Sequence, residues 1–191
     1  MDSKITCVVA HPDDEIIFGF PVIKQAKKII SCVSDVNNPK RTFNKERKRG
    51  LEEICKLIGA EFVCFDYSSK FYRLDHREME PFVDTILNAI KHEDTIFTHN
   101  DWGEYGHLDH QLVNTIVKLS GKRMLVTDIN LYADWYKVHP YSQGTKIGEF
   151  ENDLDFYNNC AEIYRKYTSW TWTFPPILKT NLYESNHLLS P

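Results

Sequence analysis

The chain lacks the marks of several protein classes. Its five cysteines (Cys7, Cys32, Cys55, Cys64 and Cys160) are odd in number and form no Cys-x-x-Cys pair, a pattern that does not encode a disulfide scaffold. Cys7, Cys32 and Cys64 sit inside apolar runs, where a free thiol behaves as a small core hydrophobe. The expected compartment is a reducing one, the cytoplasm. No apolar run approaches the length of a membrane span, or of a signal segment followed by a cleavage site, so stable membrane insertion is not expected. Positive charge is not in excess: 23 Lys and Arg stand against 27 Asp and Glu, a net charge of −4. The one basic cluster, from Lys40 to Arg49, reads as a solvated helix start, and nucleic acid is not the expected partner because phosphate binding needs a concentrated basic surface. No Gly-x-Gly-x-x-Gly follows the first apolar run, which removes the dinucleotide-binding fingerprint. Repeats, low-complexity tracts and linkers are missing as well, and one domain over residues 1–191 is expected.

What is present is the balance of a folded globular protein: 191 residues, 42% hydrophobic and 26% charged. Residues 5–10 (ITCVVA) are β-branched and apolar on both faces, as in a buried strand. A helical pattern follows over 13–28, then a strand at 29–36. Residues 44–58 form an amphipathic helix with Leu51, Ile54, Cys55 and Ile58 on one stripe, stopped by Gly59. Strands at 61–66 and 95–98 alternate with helices at 80–90 and 109–119. Residues 123–133 read as extended, 139–148 as a long loop and 152–167 as helical. This alternation implies an α/β fold, Rossmann-like, with a mainly parallel sheet covered by helices on both faces. Ligands bind such sheets at loops leaving the C-terminal strand ends.

Two polar clusters occupy that position. His11-Pro12-Asp13-Asp14-Glu15 follows the first strand. Helix-start preferences explain Pro12 and the carboxylates, since Pro fits the first helical position and acids complement the dipole. They do not explain His11 or the repeated Asp. Adjacent residues in a helical turn point about 100° apart, so one aspartate can bind a metal while the other addresses its water. The second cluster, Gly103-Glu104-Tyr105-Gly106-His107-Leu108-Asp109-His110, follows the fourth strand. It carries two histidines at i, i+3 and an aspartate of the kind that orients functional histidines. Gly103 and Gly106 suggest a backbone needing unusual freedom. Together, His11, Asp14 and His110 make a two-His, one-carboxylate set that leaves positions open for water and substrate, as catalytic zinc sites do; the same set suits Fe(II).

These two motifs, in this order and about ninety residues apart (the second continuing back through Asn100-Asp101-Trp102), resemble the LmbE-like/PIG-L family of zinc-dependent N-acetylglucosaminyl deacetylases. The likeness covers the strand–helix order from residue 5 to about 119; the part from about 122 is where such proteins vary. The resemblance implies metal ligation by His11, Asp14 and His110, with Asp13 as general base and later proton donor. It implies that His107 stabilises the oxyanion, held by Asp109, with Tyr105 nearby. Arg47 looks like the family's substrate-binding arginine, and Asn100 and Trp102 are further substrate-binding candidates from the second motif. This chain departs from the family in having Leu108 where a proline is usual and Phe20-Pro21 where small residues are usual.

The implied function is removal of an N-acetyl group from a small-molecule N-acetylated sugar or glycoconjugate by metal-activated water. The cofactor is Zn2+, with Fe2+ or another divalent ion as the alternative. Rival readings are a related amide hydrolase on a non-sugar substrate and a silent binding domain of the same fold. Trp135, Tyr136, Trp170 and Trp172 are expected to pack the C-terminal segment onto the domain rather than to stack on sugar. His99 is expected in a core or supporting role.

Overall fold

The computed structural model describes residues 5–34, 42–67, 76–131 and 144–185. Among these residues seven strands form one sheet in the order β3-β2-β1-β4-β5-β7-β6. β1 (Ile5–Val9) is an interior strand with every residue buried. It pairs in parallel with β2 (Ala26–Val33) on one side and β4 (Thr95–Phe97) on the other. β3 (Glu61–Tyr67) joins β2, and β5 (Arg123–Thr127) joins β4, both in parallel. β7 (Lys179–Ser185) then runs antiparallel to β5, and β6 (Gly144–Glu151) antiparallel to β7. The expected mainly parallel sheet is thus completed by an antiparallel pair at one edge.

Strand alternation divides the core between two faces. Ile5, Cys7 and Val9 face α2 (Thr42–Ile58) and the C-terminal helix, joining Leu51, Ile54, Cys55, Tyr157, Cys160 and Tyr164 in one apolar cluster. Val8 and Ala10 face the other way, onto Phe82, Ile86 and Ile90 of α3 (His76–Ala89) and Val113, Ile116 and Val117 of α5 (Leu108–Leu119). Fully burying one such aliphatic or aromatic side chain is worth about 1.5–3 kcal/mol, so both helical layers are held by repeated increments of that size. α2 and the C-terminal helix α6 (Leu154–Lys166) approach so closely that a Cβ on Gly50 would lie 2.4 Å from the Tyr164 ring.

Sequence expectations are corrected in two places. The helix expected over 13–28 shrinks to α1 (Asp14–Ile17) and a 3-10 turn at Ile23–Gln25, and β2 already begins at Ala26. The Gly19-Phe20-Pro21 step explains this: Pro21 has no N–H to continue a helix, and the chain folds back with Val22 and Ile23 donating to the Gly19 carbonyl. Residues 144–148, expected in a loop, belong to β6. This strand is mostly exposed and carries no apolar alternation to betray it. Residues from 122 onward supply three of the seven strands and α6. Trp135, Tyr136 and the stretch 132–143 lie outside the described residues.

The order places a switch point at β1, whose two neighbours β2 and β4 lead the chain in opposite directions. The crevice at such a point, beyond the strand C-termini, is where open α/β sheets bind ligands. The loop after β1 carries His11 to Glu15, and the loop after β4 carries His99 to His110.

Candidate active site

After β1 the chain turns sharply. Asp13 has φ 97°, a left-handed conformation rare for a residue with a side chain. Two backbone amides keep the turn. Asp13 N–H donates to Glu15 Oε2 at 2.9 Å, and His11 N–H donates to Asp14 Oδ2 at 2.7 Å. The turn buries Asp13, Asp14 and Glu15 almost completely while leaving His11 partly open. The loop after β4 is bent too, with positive φ at Gly103, Glu104 and Gly106. The freedom suggested by those glycines is therefore used, and a short helix α4 (Gly103–Gly106) interrupted by this kink leads into α5.

The two loops meet. Asp14 Oδ2 lies 3.3 Å from His11 Nδ1 and 3.3 Å from His110 Nε2. The His107 ring stands 4.8 Å from that of His11 and 4.6 Å from that of His110. Ligand-type atoms of His11, His107 and His110 fall within 4.8 Å of one another, as do those of Asp14, His99 and His110. Tyr105 closes one side, 5.3 Å ring to ring from His110, and Phe18 stands 5.6 Å from the same imidazole.

Two carboxylates fix the ring nitrogens. Glu104 Oε2 lies 2.7 Å from His110 Nδ1 and 2.9 Å from His99 Nδ1. Its Oε1 accepts from Asn100 N–H at 3.0 Å. His99 Nε2 accepts the Ala10 N–H at 2.8 Å, so its proton sits on Nδ1 and both nitrogens are occupied. His99 thus holds the Glu104 carboxylate against the end of β1. Burial alone would raise the pKa of Glu104, but His99 and His110 outweigh it and hold it at about 2. Asp109 Oδ2 lies 2.9 Å from His11 Nε2, which leaves His11 Nδ1 towards Asp14. The same carboxylate, expected to hold His107, lies 4.0 Å from His107 Nδ1 and so is closer to His11. His107 is instead the N-cap of α5, its Nδ1 accepting the Asp109 backbone N–H at 3.2 Å. Its proton is therefore on Nε2. Burial, with His11 and His110 beside it, pulls its pKa down to about 4, so the ring is neutral at pH 7.

Asp13 is held from two directions. Arg47 of α2 bonds its Oδ1, and Thr171 Oγ1 donates to its Oδ2 at 2.8 Å. Burial raises the Asp13 pKa against the pull of Arg47. Asp14 stays well below the carboxylate range, because its histidine neighbours, His110 foremost, overcome the penalty of burial.

The remaining expected residues are placed as follows. Asn100 is buried, and its amide is committed: Nδ2 donates to the Thr127 and Ile129 carbonyls, while Oδ1 accepts from Trp102 N–H and Glu104 N–H. These bonds shape the loop. Trp102 stands half-buried at this turn, its carbonyl accepting from Gln111. Sequence reasoning missed Glu104, Thr171 and the Phe18–Trp172 pair, whose rings are 5.4 Å apart. Trp172 therefore joins the apolar wall beside the site with Ile17, Ile129 and Tyr105, whereas Trp170 packs on Tyr157 and Tyr164 as expected of that segment.

The family model described as GlcNAc-PI de-N-acetylase (PIG-L) matches residues 6–119, and the chain belongs to that family. Among solved structures it is similar to the A40926 pseudoaglycone deacetylase Dbv21, with TM-score 0.69, 10% identity and 100% of both chains covered. It is also similar to the N,N'-diacetylchitobiose deacetylase from Pyrococcus horikoshii, with TM-score 0.56, 17% identity, and 90% of this chain and 72% of that one covered. A relative in sequence is the uncharacterized protein L374 of Acanthamoeba polyphaga mimivirus, 24% identical over 149 residues. The match takes in 70% of this chain and 64% of that protein's length.

Two features of the cluster fit a divalent cation. Among the described residues the fully buried His110 Nε2 has no hydrogen-bond partner, and the other ring nitrogen, Nδ1, is taken up by Glu104. Nε2 is therefore the nitrogen turned into the cluster, facing Asp14 Oδ2 as an N–H when protonated and offering a lone pair to a cation when not. The 3.3 Å spacings at Asp14 Oδ2 also match donors around one tetrahedral centre, which at zinc bond lengths stand about 3.3 Å apart.

Proposed function

We propose that the chain is a metal-dependent hydrolase, with zinc the first choice and Fe(II) the next, that removes the N-acetyl group from an N-acetylated sugar or sugar conjugate. The observation that carries this reading is the buried His110 Nε2, without a hydrogen-bond partner among the described residues and facing Asp14 at 3.3 Å while Glu104 occupies the opposite nitrogen. A buried polar atom left in that state costs about 1–3 kcal/mol, which is tolerable where it serves as a ligand. Family membership and the names of the two similar deacetylases make the acetamide of an amino sugar the bond to test first.

His11, Asp14 and His110 would hold the ion. Once bound, a divalent cation lowers the pKa of water towards about 7 and polarises a carbonyl oxygen. Asp13, adjacent in sequence to the ligand Asp14, accepts the proton of the attacking water. As the C–N bond breaks, it returns that proton to the departing amine nitrogen, giving acetate and the free amino sugar. His107 presents its Nε2–H to the tetrahedral oxyanion, a fixed donor of the kind that often dominates acyl transfer. Asp109 and Glu104 keep His11 and His110 in the tautomers that direct a lone pair inward. Tyr105 stands beside His107 and His110, Trp102 and Asn100 are the substrate-contact candidates of the second motif, and Arg47 extends from α2 to the same carboxylate that moves the proton.

The chain is read as one domain acting on a small molecule. No helix of the described residues is long and apolar enough to cross a membrane. All five cysteines are free and four of them buried, which supports a reducing compartment such as the cytoplasm. The test is a panel of N-acetylated sugars and their conjugates, scored for released primary amine and acetate. Release that stops with a chelator and returns with zinc is the expected result. A zinc-loaded protein that releases amine from none of them would remove the sugar reading.

A further inference from the structure

The family match ends at residue 119, yet the structure carries the chain back to Asp13 from the far end. α6 stops at Lys166, and Thr168 takes a left-handed turn, φ 53°, a strained state for a β-branched residue that persists only where its surroundings fix it. They do. Thr168 N–H donates to the Arg165 carbonyl at 2.8 Å. Ser169, wholly buried, donates both its N–H and its hydroxyl to the Tyr164 carbonyl, each at 2.9 Å. Trp170 then packs edge-on against Tyr157, ring centroids 5.8 Å apart. These anchors deliver Thr171, itself exposed, so that its hydroxyl reaches Asp13 Oδ2 at 2.8 Å. The same helix supports the backbone beneath. Tyr164 hydroxyl donates to Glu15 Oε1 at 2.7 Å, while Glu15 Oε2 accepts the Asp13 N–H.

We propose that Thr171 is a positioning residue for Asp13, using the strained turn after α6 to set the plane of the carboxylate. The torsion of a carboxylate about its last bond is broad and roughly two-fold, so one donor leaves it free to swing. Arg47 holds Oδ1 and Thr171 holds Oδ2, and two donors on opposite oxygens stop the rotation. A carboxylate has about four lone-pair sites, which leaves one on each oxygen for water. The proposal rests on Asp13 being the base, and its test separates the two ideas.

Full-length wild type, T171V, T171S and D13N are loaded with zinc and assayed on N,N'-diacetylchitobiose and p-nitrophenyl N-acetyl-β-glucosaminide, with metal content and melting temperature recorded. Val matches Thr in shape and removes the donor; Ser keeps the donor and removes the methyl. T171V should lose about 10- to 100-fold in kcat, the scale of a misplaced catalytic group, with KM and zinc per chain unchanged, and T171S should restore turnover. If T171V melts early, T171A takes its place in the comparison. Wild-type turnover in T171V, or equal loss in T171S and T171V, would overturn the proposal. D13N as active as wild type would instead overturn the role given to Asp13. Crystal structures of wild type and T171V give a readout independent of turnover: the Asp13 carboxylate should be rotated in the variant, and an unchanged orientation counts against positioning.

Discussion

Replacing Glu104 by Gln tests the support behind the proposed metal site without altering any candidate ligand. The side chain keeps its size but loses its charge, and one oxygen becomes a donor. In the native structure those two oxygens accept three N–H groups: His110 at 2.7 Å, His99 at 2.9 Å and Asn100 at 3.0 Å. All four residues are buried, so water cannot replace what is lost. Because both imidazoles share Oε2 and Asn100 uses Oε1, a Gln NH2 group must face either the Asn100 N–H or both imidazoles, and the bonds left on the remaining oxygen lose their charge assistance. With charged hydrogen bonds worth about 1.5–3 kcal/mol each, a net loss of about 3 kcal/mol is expected. For a chain of this size that lowers the melting temperature by about 6–12 °C. Metal affinity should fall separately, by about 10- to 100-fold, because the His110 ring is no longer oriented and its Nε2 is less basic. Calorimetry on the metal-free protein gives the first quantity, and competition against a chelator of known zinc affinity gives the second. If E104Q melted lower but bound zinc as tightly as wild type, Glu104 would be a structural residue only and the carboxylate–histidine reasoning would fail.

The remaining predictions concern the base, a ligand, the core and a distant ion-pair group. D13N should keep its zinc and lose about 10²- to 10⁴-fold in turnover, whereas H110A should lose zinc itself, which metal analysis of the two purified proteins distinguishes. G50A should destabilise by about 1–3 kcal/mol through overpacking, because the added Cβ would meet the Tyr164 ring at 2.4 Å. Helix propensity alone favours Ala by about 1 kcal/mol, so a urea titration showing stabilisation would contradict the close approach. Glu93 is nearly buried and accepts from Thr6 at 2.7 Å, with Lys27 at 2.6 Å and Lys28 at 3.1 Å. Burial would raise its pKa, but these partners lower it from 4.5 to about 2. A depressed folded pKa stabilises the protein above the unfolded value, so this contribution is present above pH 4.5 and is lost as pH falls towards 2. Urea titrations at pH 6 and pH 2.5 should show a smaller difference for E93Q than for wild type.

Much of the fold was legible because its signals are local. The apolar run of β1 and the stripe Leu51, Ile54 and Cys55 are periodic patterns, and both end up in the core. His11, Asp14 and His110 were legible as a set because each follows a strand on the same rim of a parallel sheet. Glu104 was hidden because its partners depend on a kinked loop, φ 55°, that no propensity encodes; the glycines on either side were its only trace. The pairing of Asp109 with His11 spans 98 residues, and nothing in either motif favours it over the nearer His107. β6 was lost to its polarity, since an exposed edge strand lacks the alternation that marks a half-buried one. The early end of α1 could have been foreseen from Pro21.

The bonds that tie α6 and its following turn to the first loop, Tyr164 to Glu15 and Thr171 to Asp13, bridge 149 and 158 residues. A growing polypeptide therefore brings the His11 and His110 loops out of the ribosome well before the groups that brace Asp13. Fragments ending before residue 164 hold all three proposed ligands and neither brace. Turnover should thus arrive late in biosynthesis, and nicking the chain just after α6 should silence an otherwise metal-binding protein.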